Sequence, residues 1–107
     1  MSSTVAATTV ASIVGGETRR DAPGGRLTST NPARTDEVVA EVLLGDASTF
    51  VDAARAARAA QREWAKVPAP ARGRVIAQVG RLVEANKEAL AALVTREIGK
   101  PYAESLG

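Results

Sequence analysis

The stretch Thr95-Arg96-Glu97-Ile98-Gly99-Lys100-Pro101-Tyr102-Ala103-Glu104 places the end of one helix beside the start of another. Gly99 follows a long helical pattern, and glycine readily adopts the left-handed conformation that closes a helix. Pro101 suits the first position of a new element, where its missing amide hydrogen costs little. The sequence ends soon afterwards, at Gly107. We therefore expect these residues to form the front of a larger fold.

A long amphipathic helix precedes this stretch. Between residues 71 and 98 the apolar side chains recur every three or four positions, which is the periodicity of one helix face. Asn86 interrupts the pattern and can cap a fresh turn, so we expect a bend or a break there. The apolar members are Val75, Ile76, Val79, Leu82, Val83, Leu90, Leu93, Val94 and Ile98.

An earlier helix is predicted over residues 49–66. Asp46 or Ser48 suits its N-cap, because a short oxygen side chain accepts a hydrogen bond from a free amide of the first turn. The segment Val67-Pro68-Ala69-Pro70 ends the helix, since proline lacks the amide hydrogen and clashes with the preceding turn. The predicted packing stripe consists of Phe50, Ala54, Ala57 and Trp64, with Ala53 and Ala60 beside it.

The first 45 residues predict two or three short strands joined by turns. Segments 10–14, 26–30 and 37–44 are the candidates, the last of them rich in β-branched residues and preceded by a loop at 33–36. Gly15-Gly16 permits a tight turn with positive φ. The expected fold class is therefore α+β, with N-terminal β-hairpin strands followed by two or three amphipathic helices.

The composition excludes several kinds of site. The 107 residues include no Cys and no His, which rules out a thiol nucleophile, a Ser-His-Asp triad, a disulfide and a Cys/His zinc site within them. Hydrophobic residues make up 45%, but 22 residues are alanine and there is one each of Phe, Trp and Tyr. Alanine buries little apolar area, so we expect a thin core.

The remaining patterns favour a cytoplasmic location without membrane or nucleic-acid partners. No apolar run approaches the ~20 residues that cross a bilayer. Arg55, Arg58 and Arg62 form a basic edge, but Asp52 and Glu63 dilute it and aromatic stacking residues are nearly absent. Residues 1–11 lack the basic start of a secretory signal and are expected to be a disordered tail.

The order of these signals resembles the N-terminal region of the NAD(P)-dependent aldehyde dehydrogenase superfamily. The most specific parts are Asn31-Pro32-Ala33, the segment EVVAEV at 37–42, Trp64, and Arg96-Glu97-Ile98-Gly99-Lys100-Pro101. The loop at 33–37 looks one residue longer than in many members. The resemblance implies that residues 12–107 are the N-terminal portion of the cofactor-binding domain, an α/β parent fold with a Rossmann-like sheet built by later sequence.

The resemblance also implies the chemistry of the parent enzyme. A cysteine thiolate attacks the aldehyde carbonyl, hydride passes to NAD or NADP, and a glutamate-activated water releases the carboxylic acid. None of those family positions falls in this chain, so we expect it to contain no catalytic and no cofactor-binding residue. Alone it is expected to be inactive and to bind neither NAD nor NADP.

One metal-binding residue is implied by the resemblance. In some relatives the carboxylate before Gly-Lys-Pro, here Glu97, helps to bind a structural monovalent cation together with backbone oxygens, here near Ser29 and Thr30. A solvated or ion-paired Glu97 is the alternative. Lys100 is expected to lie near the helix C-terminus and to meet the partial negative charge there.

Two functions follow from these observations. The first is the N-terminal fragment of an aldehyde-oxidising oxidoreductase, whose partner is the remainder of the dehydrogenase or a homologous subunit. The alternative is a non-enzymatic helical interaction module that docks its apolar stripes onto a partner protein. The amphipathic segment 71–98 carries mixed charge and lacks aromatic anchors, which argues against a membrane-surface helix.

Overall fold

The computed structural model of the chain describes residues 7–107. Strands come first and helices follow, as the sequence predicted. The elements are β1 (Thr8–Val10), β2 (Ser12–Val14), β3 (Glu17–Arg19), β4 (Arg26–Asn31), β5 (Arg34–Leu43), α1 (Ala47–Trp64), α2 (Ala69–Ala85), α3 (Lys87–Ile98) and the short α4 (Tyr102–Ser105).

The strands form two separate sheets. β5 is the centre of a three-stranded sheet, with β4 antiparallel on one side and β1 parallel on the other. β2 and β3 form an antiparallel hairpin in which Val14 lies opposite Glu17. Its two-residue loop, Gly15-Gly16, has φ values of 59° and 81°. Positive φ at both positions suits a tight hairpin turn, which confirms the predicted turn.

The predicted disordered tail is wrong for the described part of residues 1–11. Residues 1–6 lie outside the part of the chain that the structure describes. Thr8–Val10 form β1, in which Val10 lies opposite Val42 of β5. Threonine and valine favour strands, and the open edge of β5 provides a partner for them. This parallel pairing joins residues that are far apart in sequence, so no local sequence pattern predicts it.

The described residues contain five strands instead of two or three. The segment predicted as one strand, 10–14, is divided at Ala11 between the two sheets. The loop predicted at 33–36 is shorter, because β5 already begins at Arg34. Arg34 lies opposite Asn31, after a shift in register around Thr30. The connection between β4 and β5 is therefore the tight Pro32-Ala33 turn.

Asp46 is the N-cap of α1. Its carboxylate accepts a hydrogen bond from the Thr49 amide (3.1 Å), and the Thr49 hydroxyl accepts one from the Asp46 amide (3.2 Å). This reciprocal arrangement is a capping box. The Ser48 hydroxyl donates to the same carboxylate (2.6 Å), so both residues predicted for the cap take part. These hydrogen bonds, with Ser48 the largest contributor, hold the pKa of Asp46 below its ordinary value.

The side of α1 that packs on the strands is not the predicted stripe. Phe50 is 76% exposed and Trp64 is 37% exposed. The helix instead turns Thr49, Ala53 and Ala56 inward, towards β2 and the Gly15 turn. Small side chains let the helix lie close to this hairpin, and the larger apolar residues remain on its outer side.

The predicted break at Asn86 is confirmed. α2 ends at Ala85 and α3 begins at Lys87, and Asn86 has φ −109° and ψ 15°. Its side-chain amide donates to the Leu82 carbonyl oxygen (2.8 Å). The same carbonyl also accepts a hydrogen bond from the Asn86 backbone amide (3.1 Å), so Asn86 closes the last turn of α2 with both its main chain and its side chain. Asn86 thus divides one amphipathic pattern between two helices.

The core is small, as the alanine content predicted. β5 is covered on both faces and contributes three of the five buried hydrophobic residues. Val39 is the most deeply buried of them, at 1% exposure. The complete buried hydrophobic set in the described residues is Val14, Val39, Ala40, Leu43 and Ala91.

We predict that Val39→Ala lowers the free energy of unfolding by about 1.5–3 kcal/mol, because it deletes buried apolar volume at the centre of the sheet. Val38→Ala, one position away and 36% exposed, is the matched control and should cost less than about 1 kcal/mol. Urea unfolding followed by circular dichroism gives both values. Equal losses for the two variants would contradict the assignment of the core.

Candidate functional site

The C-terminal end of α3 lies against the β4–β5 turn. Gly99 has φ 75°, the left-handed conformation predicted for the helix cap. A Cβ atom added at Gly99 would lie 3.2 Å from Cγ of Pro32. Glycine is therefore favoured here twice, by the backbone conformation and by the close approach of the turn. The charged residues that precede Gly99 are brought to the sheet by this contact.

Glu37 connects the turn to the helix. Its Oε2 accepts a hydrogen bond from Nδ2 of Asn31 (3.1 Å), and its Oε1 accepts one from Nε of Arg96 (2.8 Å). Asn31 Oδ1 in turn accepts a hydrogen bond from the Ala33 amide (2.9 Å), which closes the turn. A single carboxylate thus fixes β4, β5 and α3 relative to one another. We call Asn31, Glu37 and Arg96 the Glu37 network.

The Glu37 network is partly shielded from water. Asn31 is 9% exposed, and the side chains of Arg96 and Glu37 are 26% and 29% exposed. The Arg96 hydrogen bond, followed by that of Asn31, holds the pKa of Glu37 below its ordinary value of 4.5. Nη2 of Arg96 is buried and has no hydrogen-bond partner within residues 7–107. The guanidinium therefore uses only Nε for this network, and Nη2 is a buried donor without an acceptor in the described part of the chain.

The structure brings Glu97 and Ser29 together. The Ser29 hydroxyl donates a hydrogen bond to Oε1 of Glu97 over 2.8 Å, at an exposed position. The observed contact therefore uses the Ser29 side chain, whereas the sequence analysis invoked the main-chain oxygens of Ser29 and Thr30. Within residues 7–107, no three His, Cys, Asp or Glu side chains converge as metal ligands. The cation-binding role of Glu97 stays a prediction.

Other charged contacts are structural in character. Arg19 on β3 and Asp52 on α1 form an ion pair with a distance of 2.7 Å between Nη1 and Oδ2. This pair attaches the β2–β3 hairpin to the first helix. The carboxylates of Glu37 and Asp52 are thus occupied by arginine partners. Neither of these two ion pairs places a nucleophile beside a general base.

Comparison with known proteins assigns this arrangement to a family. The sequence profile of the aldehyde dehydrogenase family matches residues 19–107. The chain belongs to the aldehyde dehydrogenase family. The match includes every residue of the Glu37 network and the Ser29–Glu97 contact. It confirms the resemblance inferred from the sequence.

Individual relatives agree with this assignment. The chain is 43% identical over 88 residues to aldehyde dehydrogenase family 2 member B4 of Arabidopsis thaliana, covering 80% of this chain and 16% of that protein. It is 34% identical over 101 residues to aldehyde dehydrogenase family 7 member A1 of Pisum sativum, covering 94% of this chain and 19% of the relative. The chain thus spans about a fifth of the length of these relatives.

Solved structures share the fold. The structure of 3,6-anhydro-L-galactose dehydrogenase in complex with NAP aligns with a TM-score of 0.87 at 34% identity, covering 94% of this chain and 21% of that one. The NAD-dependent aldehyde dehydrogenase of Sinorhizobium meliloti aligns with the same TM-score at 28% identity, covering 95% and 21%. The α+β arrangement of this aldehyde dehydrogenase segment is therefore a fold that these enzymes share.

The Glu37 network was not predicted from the sequence, although its three residues lie in motifs that were singled out. Asn31-Pro32-Ala33, the EVVAEV segment and Arg96-Glu97-Ile98-Gly99 were treated as separate family signals. In the structure Arg96 hydrogen-bonds Glu37, and Gly99 lies close to Pro32. The available hint was the opposite charges of Glu37 and Arg96, but the many charges of this chain give no reason to select that pair.

None of the helices within 7–107 combines sufficient length with sufficient hydropathy to cross a membrane.

We predict that this aldehyde dehydrogenase segment loses stability in acid partly through Glu37. Because its folded-state pKa is below the ordinary value of 4.5, its contribution is present above that pH and is lost as pH falls through the folded-state value. Glu37→Gln should therefore reduce stability at neutral pH and flatten its decline below pH ~4.5.

The measurement is the urea midpoint as a function of pH, with Glu41→Gln on the same strand as control. If Glu37→Gln and the unmodified chain lose stability in parallel on acidification, the carboxylate does not act as described.

Proposed function

We propose that the chain supplies the N-terminal part of the cofactor-binding domain of an NAD(P)-dependent aldehyde dehydrogenase, which oxidises aldehydes to carboxylic acids. The observation that carries this proposal is the family match over residues 19–107. The fold shared with two solved dehydrogenases, at a TM-score of 0.87, supports it. One of these structures contains NAP and the other is of an NAD-dependent enzyme, which supports a dinucleotide cofactor for the whole protein.

The role of these residues in that enzyme is to build the fold. The 107 residues contain no cysteine, so the thiolate of the family reaction must be supplied by other sequence. The ion-paired carboxylates support the same view, because Glu37 and Asp52 are committed to arginines. We assign no catalytic residue and no cofactor-binding residue to the chain.

The proposed partner is the remainder of a dehydrogenase or a homologous subunit, in the cytoplasm. A nucleic-acid partner is disfavoured because Asp52 and Glu63 dilute the basic edge of α1 and aromatic stacking residues are nearly absent from the chain. A membrane partner is disfavoured because the polar sides of α2 and α3 carry mixed charge.

The purified 107-residue chain should not oxidise aldehydes. The expected result is no reduction of NAD or NADP above the protein-free rate with a broad panel of aldehydes, because the nucleophile is missing. The absorbance of the reduced nicotinamide is the measurement, with an intact aldehyde dehydrogenase as positive control. Sustained turnover that survives further purification would refute the assignment.

We also propose that Glu97, with main-chain oxygens of Ser29 and Thr30, binds a structural monovalent cation. The support is the 2.8 Å contact that places Glu97 beside Ser29, together with the preference of such cations for oxygen ligands. Both residues are on the surface, so an ion can reach them from solvent.

The corresponding prediction compares salts at equal ionic strength. Sodium or potassium chloride should raise the Tm of the chain by a few degrees relative to choline chloride, and Glu97→Gln should abolish that difference. Ser29→Ala is the control, because it removes the hydroxyl and leaves the main-chain oxygens. Identical salt responses in the unmodified chain and in Glu97→Gln would leave Glu97 with only its hydrogen bond.

A non-enzymatic interaction module is the second candidate. The observation in its favour is the exposure of large apolar side chains, among them Ile76 at 65% and Phe50 at 76%. Such a surface suits a docking protein as well as a segment of an enzyme. The two functions differ in whether the chain can take the place of the N-terminal segment in an active dehydrogenase.

A further inference from the structure

α2 packs against very little of the described chain. It has 17 residues, and none of them is buried. Val75, Ile76 and Val79 are 50%, 65% and 53% exposed. A helix of this length is marginal in water without tertiary packing, because its stability in proteins comes mainly from a buried apolar side. The apolar side of α2 therefore requires a neighbour that residues 7–107 do not supply.

α3 has two apolar sides, and only one is covered. Ala91 is 2% exposed and lies on the side of the helix that packs on β4. Leu93 is two residues further, so its side chain lies about 160° away around the helix axis. It is 42% exposed. α3 is thus the middle layer of an arrangement that has the sheet below it and open space above it.

The open sides of the two helices meet in one shallow groove. The large apolar residues that line it are Val79, Leu82 and Val83 from α2 with Leu90 and Leu93 from α3, and Asn86 and Ala89 complete the lining between the two sets. We call these five large apolar residues the α2–α3 face. Each is 42–53% exposed, which amounts to an apolar area on the order of 400 Å². Contiguous patches of this size on a monomer are often functional.

We propose that the α2–α3 face is the docking surface for the remainder of an aldehyde dehydrogenase, a proposal that rests on the function proposed above. In the solved relatives the same fold occupies 21% of a chain, so there it belongs to a polypeptide about five times as long. A second copy of this chain is a poorer occupant. Its own face offers about 400 Å², against the ~800 Å² that each partner contributes to a standard interface.

The test is a chimaera in which this chain replaces the matching N-terminal segment of the Arabidopsis relative, which is 43% identical over 88 residues. Two single variants are compared in it. Val79→Asp places a carboxylate in the α2–α3 face. Ala77→Asp introduces the same side chain two residues earlier, about 160° around α2, at another exposed position. Alanine favours a helix more than valine does, so helix propensity penalises Ala77→Asp more and cannot explain a larger loss in Val79→Asp.

The chimaera is expected to be soluble and to reduce NAD or NADP in the presence of an aldehyde. Val79→Asp should lower the yield of soluble, active chimaera at least tenfold, because it would bury an unpaired charge. Ala77→Asp should stay within twofold of the unmodified chimaera. In the isolated chain both side chains are exposed, so both variants should give the same far-ultraviolet circular dichroism.

The other possible outcomes separate a failure of the docking face from a failure of the proposed function. An active chimaera in which the two variants differ by less than twofold overturns the docking face and leaves the proposed function intact. An inactive or insoluble unmodified chimaera overturns the proposed function. If the isolated chain sediments as a dimer that Val79→Asp but not Ala77→Asp converts to a monomer, the occupant is a second copy and the proposed partner is wrong.

Discussion

The ion pair between Glu37 and Arg96 fixes the end of α3 against the sheet. The two residues are 59 positions apart, and the bond between them, at 2.8 Å, ties the last turn of α3 to β5, while the Ser29–Glu97 hydrogen bond ties it to β4. Asn31 fixes the orientation of the Glu37 carboxylate, because it hydrogen-bonds the second oxygen while closing the β4–β5 turn. Hydrogen bonds between charged groups are stronger than neutral ones. The described residues bury five hydrophobic side chains, so such polar links matter more here than in a domain with a larger core.

The features that could be predicted from the sequence are those encoded by neighbouring residues. The tight turn at Gly15-Gly16, the Asp46 cap, the break at Asn86 and the left-handed cap at Gly99 each depend on a few consecutive side chains. Each has a local physical cause, namely a required φ or an unsatisfied amide. The order of strands and helices follows from these signals, and the family assignment followed from their order.

The features that could not be predicted are pairings between distant segments. β1 forms because the edge of β5 is open to Thr8–Val10. The sequence of residues 1–11 gives no indication of this pairing. The inward side of α1 was assigned wrongly for a related reason. Hydrophobicity selected Phe50 and Trp64, whereas the available neighbour, a narrow glycine hairpin, accepts only small side chains such as Ala56. For the candidate site, the sequence named Glu97 and Ser29 but gave no indication that the Ser29 hydroxyl makes the contact.

Asn86 determines more than the boundary between two helices. With alanine there, the segment from Ala69 to Ile98 could continue as a single straight rod about 45 Å long. The carbonyl of Leu82, which accepts from both the side chain and the backbone amide of Asn86, would keep only the backbone bond. A cylinder is convex everywhere, so the side chains of Val79 and Leu93 would no longer border a common concavity. The Asn86 side chain thus accompanies a break that gives α2 and α3 a shared concave surface, into which side chains of a neighbour can pack.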